Sequence, residues 1–269
     1  MNRIRRAVLG SRPWGMLNVV RMALLTAEPL RFLRRERRKA EGPFAYRLRG
    51  TSRVVYLRHG TPDINTFQEV FLEGEYEPPA GAREAISQLP PLPSFVDLGA
   101  NIGTFGLWAD RVAPDAQIVS VEADPANAAV LRRAIAANAA EHRWKLIEAC
   151  ASTRTGTVRF SAGNFSVSRI ADSDTEGTIE VPAVDAFDLI TSADVVKIDI
   201  EGGEWPILTD PRFRDLTARV VVVEYHPDGC PGDPEGSARA ALESAGLTVE
   251  RTRVTPAWGS GVLWGWREG

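Results

Sequence analysis

Residues 94–106 read Ser94-Phe95-Val96-Asp97-Leu98-Gly99-Ala100-Asn101-Ile102-Gly103-Thr104-Phe105-Gly106. Phe95 to Leu98 is a short apolar strand, and Phe105 to Val112 is an apolar helix. Between them lies a glycine-rich turn, the arrangement by which a strand hands a ligand to a helix N-terminus. The glycines are spaced Gly-x3-Gly-x2-Gly, and Asp97 stands two residues before the first. That carboxylate would repel a pyrophosphate and attract an ammonium group. A ligand with an amino-acid head and a nucleoside tail fits both facts, and S-adenosylmethionine is such a ligand. Downstream, Ile118 to Glu122 reads as the next strand. Glu122 ends it at roughly the 20-residue offset where an acid accepts ribose hydroxyls.

Three stretches together resemble the FkbM family of class I methyltransferases. They are Val96-Asp97-Leu98-Gly99-Ala100-Asn101-Ile102-Gly103, Val121-Glu122-Ala123-Asp124-Pro125 and Val196-Lys197-Ile198-Asp199-Ile200-Glu201-Gly202-Gly203-Glu204. A fourth stretch, Phe67-Gln68-Glu69-Val70-Phe71-Leu72-Glu73-Gly74-Glu75-Tyr76, extends the resemblance to about residues 50–225. It implies an S-adenosylmethionine-dependent O-methyltransferase acting on a hydroxyl of a sugar or natural product. It also implies that Glu69 and Tyr76 lie over the cofactor pocket.

The alternation of strands and helices from Phe95 onward implies a parallel sheet. The expected fold is α/β, a Rossmann-like class I methyltransferase fold. It has a mostly parallel seven-stranded sheet with an antiparallel edge pair, Leu247 to Val254 and Gly261 to Trp266. Trp144 to Cys150 is expected as the third strand, Asp194 to Ile200 as the fourth and Ala218 to Tyr225 as the fifth. A β-rich excursion near 156–160, 166–170 and 178–182 is long enough to shape a substrate pocket.

In open α/β sheets ligands bind beyond the carboxyl ends of the strands. Asp97, Glu122, Asp199 and Glu224 all fall at such ends, and His226 follows Glu224. The Gly99 to Gly103 turn is expected to let the backbone approach the cofactor. Asp97 would set its ammonium, Asn101 its carboxylate and Glu122 its ribose. Ala123 and the turn Ala151-Ser152 would flank the adenine. Asp199, Glu201 and His226 are candidate bases for an acceptor hydroxyl, and His226 has the most suitable ordinary pKa. Glu201 and Glu204 are alternatively caps of the helix after Gly202-Gly203. Asp199 and Glu224 would suit Mg²⁺, but a metal-free site is favoured.

The chain divides at Gly42-Pro43 and at the proline cluster 90–93. This gives a basic amphipathic region 1–42, a hairpin and helix cap 43–90 and the Rossmann-like domain 91–269. In the cap, Phe44 to Leu48 and Arg53 to Leu57 pair as a hairpin, Asp63 caps a helix, and Ala82 to Leu89 is a second helix. Residues 1–42 hold eleven Lys or Arg and three Glu, a net of +8. Subtracting these from the totals of 32 and 35 leaves 21 bases and 32 acids, a net of −11. An acidic body is a poor match for nucleic acid, so the expected partner is a small-molecule or glycan acceptor. Residues 14–25 form an apolar helix too short to span a bilayer. They either pack on the domain or a second subunit, or make a weak membrane-surface contact through the basic run after them.

With 44 % hydrophobic residues the chain can bury a sizeable core. Two cysteines, Cys150 and Cys230, argue for free thiols and a reducing compartment. The expected location is cytoplasmic, with peripheral membrane association as the variant. Two other functions compete. A nicotinamide oxidoreductase accounts for the sheet and Glu122 but not for Asp97. A non-enzymatic membrane adaptor would place the function in residues 1–42.

Overall fold

The structure is a computed structural model that describes residues 14–161, 169–170, 178–255 and 258–268. Two helices come first, α1 (Trp14–Leu24) and α2 (Pro29–Arg38). The expected hairpin follows as β1 (Pro43–Arg47) and β2 (Val54–Arg58), paired antiparallel. Helix α3 (Asp63–Phe67) runs into a π-turn, Gln68–Leu72, and α4 (Ala80–Ser87) completes the cap. Asp63 does not cap α3. Pro62 holds that position, and the buried Asp63 carboxylate accepts from the Arg58 backbone N–H at 2.9 Å and its guanidinium at 2.8 Å. A bidentate arginine satisfies a buried carboxylate more fully than a helix end does.

Next come β3 (Ser94–Leu98), α5 (Thr104–Val112), β4 (Gln117–Glu122), α6 (Pro125–Ala137) and β5 (Trp144–Glu148). The excursion contributes β6 (Cys150–Ser152), β7 (Gly156–Ser161), β8 (Arg169–Ile170) and β9 (Thr178–Asp185). Residues 166–168, expected to begin a strand, lie outside the described residues. The chain ends with α7 (Phe187–Ile190), β10 (Val195–Ile198), α8 (Glu204–Thr209), β11 (Val220–Tyr225), α9 (Pro234–Ser244), β12 (Thr248–Thr255) and β13 (Ser260–Trp266).

The main sheet has the order β12-β13-β11-β10-β3-β4-β5. β13 runs antiparallel to β11 and β12, and the remaining pairings are parallel. This is the Rossmann-like arrangement of class I methyltransferases. The strand order reverses between β3 and β10, which is where such sheets open a crevice. Asp124 caps α6 with Pro125 at its first position, and Asp233 caps α9 before Pro234.

One expected strand divides. The chain bends at Ala149, whose N–H turns back to the Glu122 carbonyl at 3.1 Å. Cys150–Ser152 then leaves the edge of the main sheet and pairs with β9 in a separate four-stranded sheet.

The alternation of strand side chains sorts the core into two layers. Val96, Leu98, Val196 and Ile198 face one core with α7, α8 and α9. Phe95, Ile118, Val195 and Val222 face the other. That second core also holds Met22, Ala23 and Phe32 from α1 and α2, with Phe67 and Tyr76 from the cap. Phe32 packs edge-on to Tyr46 at 5.3 Å and lies 6.2 Å from Phe67. The described part of region 1–42 is therefore built into the same core as the sheet. Among the described residues, no helix is long and apolar enough to cross a membrane.

Candidate active site

The site grows from strand register. Asp97 and Lys197 are Cα partners on the adjacent parallel strands β3 and β10. Both face the side covered by the cap, two residues beyond Phe95 and Val195. Asp97 is wholly buried and Lys197 nearly so, with Nζ 3.1 Å from Asp97 Oδ1, 3.4 Å from Asp199 Oδ2 and donating to the Gly99 carbonyl at 2.7 Å. Burial pushes the Asp97 carboxyl up and the Lys197 charge holds it down. Burial alone would lower Lys197, but Asp97 and Asp199 raise it, so it stays an ammonium. Asp97 was expected to meet the ligand's ammonium. Its nearest cation in the structure is the chain's own lysine. Lysine in the buried run Val195-Val196-Lys197-Ile198 was the available signal, since a buried strand tolerates a charge only when it is paired.

The turn after β3 is shaped by the protein's own packing. Gly99 has φ 82°, and a Cβ there would stand 1.8 Å from the Asp199 carbonyl oxygen. Gly103 has φ 88°, and a Cβ there would stand 2.4 Å from Leu131 Cδ1. Gly99 thus permits the close approach of β3 and β10 at the crevice, and Gly103 permits α5 to pack on α6. Both glycines are required by the protein's own packing.

Asn101, at φ 51°, directs its backbone N–H to Glu122 Oε2 at 2.7 Å. The other Glu122 oxygen accepts from the Asp124 N–H at 2.8 Å. Burial raises the Glu122 carboxyl to about 7, against the two N–H donors that lower it. A buried carboxyl with only two donors has lone pairs left for the hydroxyls of a vicinal diol. Ala123 is half-buried against the cluster that contains Cys150. Ala151 and Ser152 form a strand, not the expected turn. Ala151 is buried in the core, and Ser152 is the half-exposed member of the pair.

On the other side of the crevice, Asp199 directly follows β10, and Glu224 is the penultimate residue of the adjacent β11. One ligating atom each from Asp199, Glu224 and His226 lie within 4.8 Å of one another. His226 is 8 % exposed. Its Nδ1 bonds the fully buried Glu204 carboxylate, and its Nε2 lies 3.7 Å from Glu201 and 3.8 Å from Glu224. Burial would lower its pKa, but the Glu204 bond and the three carboxylate charges carry it up to about 10. His226 is therefore an imidazolium near neutral pH. The ordinary imidazole pKa that favoured His226 among the candidate bases does not hold in this environment. Glu204 begins α8 behind Gly203 but makes no cap, because its carboxylate turns to His226.

The cap adds acids. Burial, with Glu75 next, raises Glu69, and burial raises Glu75 to about 7. Burial and Asp199 raise Glu224 well above the carboxylate range. Tyr76 is buried edge-on to Phe105 at 5.0 Å, and the charges of Glu75, Asp199 and Glu224 add to burial in raising its phenol. Arg253 of β12 reaches across to Glu73 at 2.8 Å and Glu75 at 3.3 Å, and stands 3.9 Å from Glu69. A small opening beside them is lined by Glu73, Gly74, Glu75, Thr252 and Arg253. Arg253 escaped the sequence reading because a bulge between Arg251 and Arg253 sets its direction. The arrangement offers a buried acceptor for a diol, a carboxylate-rich face for a cation and carboxyl groups poised near neutrality for proton transfer.

Residues 97–254 match the methyltransferase FkbM domain. A methyltransferase of Sordaria araneosa, sdnD, is 26 % identical over 227 residues, spanning 70 % of this chain and 83 % of that protein. Among solved structures, the precorrin-6y C5,15-methyltransferase of Geobacter metallireducens has 20 % identity and a TM-score of 0.43, covering 69 % of this chain and 87 % of its own. TYW2 of M. jannaschii, in complex with AdoMet, has 13 % identity and a TM-score of 0.45, covering 85 % and 88 %. The fold assignment itself rests on the strand order above.

Proposed function

This chain belongs to the FkbM methyltransferase family, and from that premise we propose that it uses S-adenosylmethionine to methylate a hydroxyl of a sugar or natural-product small molecule. Membership displaces the nicotinamide and adaptor readings. One observation carries the proposal: Glu122, Asp97, Asp199 and Glu224 end four neighbouring strands, with Asp199 wedged against the Gly99 turn.

The residues present fit the cofactor. Glu122 has lone pairs to accept a ribose diol, and Asn101 and the Gly99–Gly103 turn border it. Ala123 and Ser152 leave room for a flat base. The excess of carboxylates around Asp199, Glu224, Glu69 and Glu75 suits a ligand carrying sulfonium and ammonium charges. S-adenosylmethionine would supply an electrophilic methyl group at this crevice.

The protein's own part is positioning and proton removal. Lys197 ties Asp97, the Gly99 carbonyl and Asp199 into one rigid unit. Asp199, 22 % exposed in its side chain, faces the crevice and takes the acceptor's proton. His226, bonded through Nδ1 to Glu204, stands between Glu201 and Glu224 and positions them. We favour a metal-free site; Asp199, Glu224 and His226 are the residues that would hold a divalent cation.

Calorimetry with S-adenosylmethionine tests the cofactor. Glu122→Ala removes up to two charge-assisted hydrogen bonds, about 1.5–3 kcal/mol each, and should weaken binding on the order of tenfold or more. A weakening under about twofold would remove Glu122 from the site. Transfer of labelled methyl to a panel of hydroxylated sugars and small molecules tests the acceptor class. Activity that survives EDTA is expected, and its abolition would favour the Asp199–Glu224–His226 metal site instead.

A further inference from the structure

Helix α1 carries apolar side chains on two faces, yet among the described residues the body covers only one of them. Met22 and Ala23 are buried in the core, with Val19 and Leu25 partly buried beside them. Met16, Leu17, Val20 and Leu24 point away and are 79, 53, 37 and 52 % exposed, and Leu30 at the start of α2 is 80 % exposed. These are five of the ten large apolar side chains that stand exposed among the described residues. A helix that is apolar all round is normally buried all round. Here a second apolar face stands exposed among the described residues.

The exposed charges between residues 14 and 40 have a single sign. Arg21 shares it, since 17, 20, 21 and 24 follow the helical repeat. Arg31, Arg34, Arg37, Arg38 and Lys39 are exposed along and just beyond α2. The two acids between residues 14 and 40, Glu28 and Glu36, are not exposed, and Glu36 bonds His59 Nδ1 at 2.8 Å. Six exposed cations thus flank the apolar face with no exposed acid between them. The surface is also firmly mounted. Arg49 Nε donates to the Leu24 carbonyl at 2.7 Å, Thr26 bridges to Leu48, and the Arg35 guanidinium stacks on Phe44 at 4.0 Å.

We propose that α1 and α2 form a docking surface for an anionic lipid bilayer, with Met16, Leu17, Val20, Leu24 and Leu30 entering the interface and the flanking Arg and Lys side chains meeting the headgroups. An exposed apolar face rimmed by cations is the chemistry that a negatively charged membrane surface rewards. A zwitterionic surface would satisfy the apolar residues but not the six cations. The assignment does not depend on the reaction the enzyme performs.

The test is sedimentation of the full chain with vesicles of phosphatidylcholine, with and without phosphatidylserine. At low salt the protein should pellet with the phosphatidylserine vesicles and stay in solution with pure phosphatidylcholine. Salt of about 1 M, where the screening length is ~3 Å, should release it. Leu17→Glu with Leu24→Glu, and separately Arg31→Glu with Arg34→Glu, should each reduce the bound fraction by about tenfold. These side chains are exposed, so thermal melting should be unchanged. Equal binding to both vesicle types, no binding at low salt, or wild-type binding by both variants would overturn the proposal. So would a stable dimer in sedimentation velocity that buries this face and ignores lipid.

Discussion

Lys197 Nζ lies 3.1 Å from Asp97 Oδ1 in the middle of the sheet, with the two side chains almost completely withdrawn from water. The pair is set by register, because Asp97 and Lys197 face each other on parallel neighbours. It explains how a carboxylate is kept beneath the turn after β3. It also couples that turn to Asp199, the group across the crevice.

Breaking this pair from one side should be severe. Lys197→Met leaves Asp97 buried without a cation and should cost about 3–5 kcal/mol. Adding Asp97→Asn to that variant should recover part of the loss. Urea denaturation of the two single variants and the double variant measures the coupling. Purely additive losses would mean that the two groups do not interact.

Gly103→Val should destabilise the fold, not only weaken the cofactor. The residue sits at φ 88° with Leu131 Cδ1 2.4 Å from the position of a new Cβ. A β-branched residue in that conformation carries strain of about 1–3 kcal/mol, before the clash with Leu131 is counted. A lowered denaturation midpoint in cofactor-free protein is the expected result. An unchanged midpoint would show that α5 and α6 can separate to admit the side chain.

His226 should give stability a distinctive pH dependence. The folded protein holds its proton up to about 10, whereas the unfolded chain releases it near 6.5. The stabilisation is therefore complete below about 6.5 and is lost as pH rises through about 10. The stability difference between wild type and His226→Gln should be constant in acid and shrink across that window. Glutamine keeps a donor for Glu204, so the variant should fold. A difference that stays flat up to pH 10 would place the proton elsewhere.

Removing residues 1–42 should open the core. Met22 and Phe32 are buried to 1 % and 0 % exposure, and burial of each such side chain contributes about 1.5–3 kcal/mol. That sum is a large part of the ~5–15 kcal/mol by which domains are stable. A chain beginning at Pro43 is expected to be poorly soluble or to melt well below the full chain. Equal melting would mean that the cap closes without α1 and α2.

The sequence by itself determined the sheet and the positions of its acids. Strand and helix periods are local, and a parallel strand buried on both faces must be an apolar run, as Val220 to Val223 shows. Glycine, proline and aspartate mark the ends of such elements, so Asp97, Glu122, Asp199 and Glu224 could be placed at strand ends without coordinates. What those acids do was decided only by tertiary structure. A pKa depends on burial and on charges brought from elsewhere in the chain. The sequence around His226 contains no sign that Glu204 and Glu201 would fold back to keep it protonated. Arg253 meets Glu75 and Glu73 from 178 and 180 residues away in the chain. Gly99 looks like a ligand-binding glycine until the Asp199 carbonyl is seen beside it. Both sides of α1 carry apolar side chains in sequence, and only packing against α2 and the π-turn of the cap fixes which side is buried.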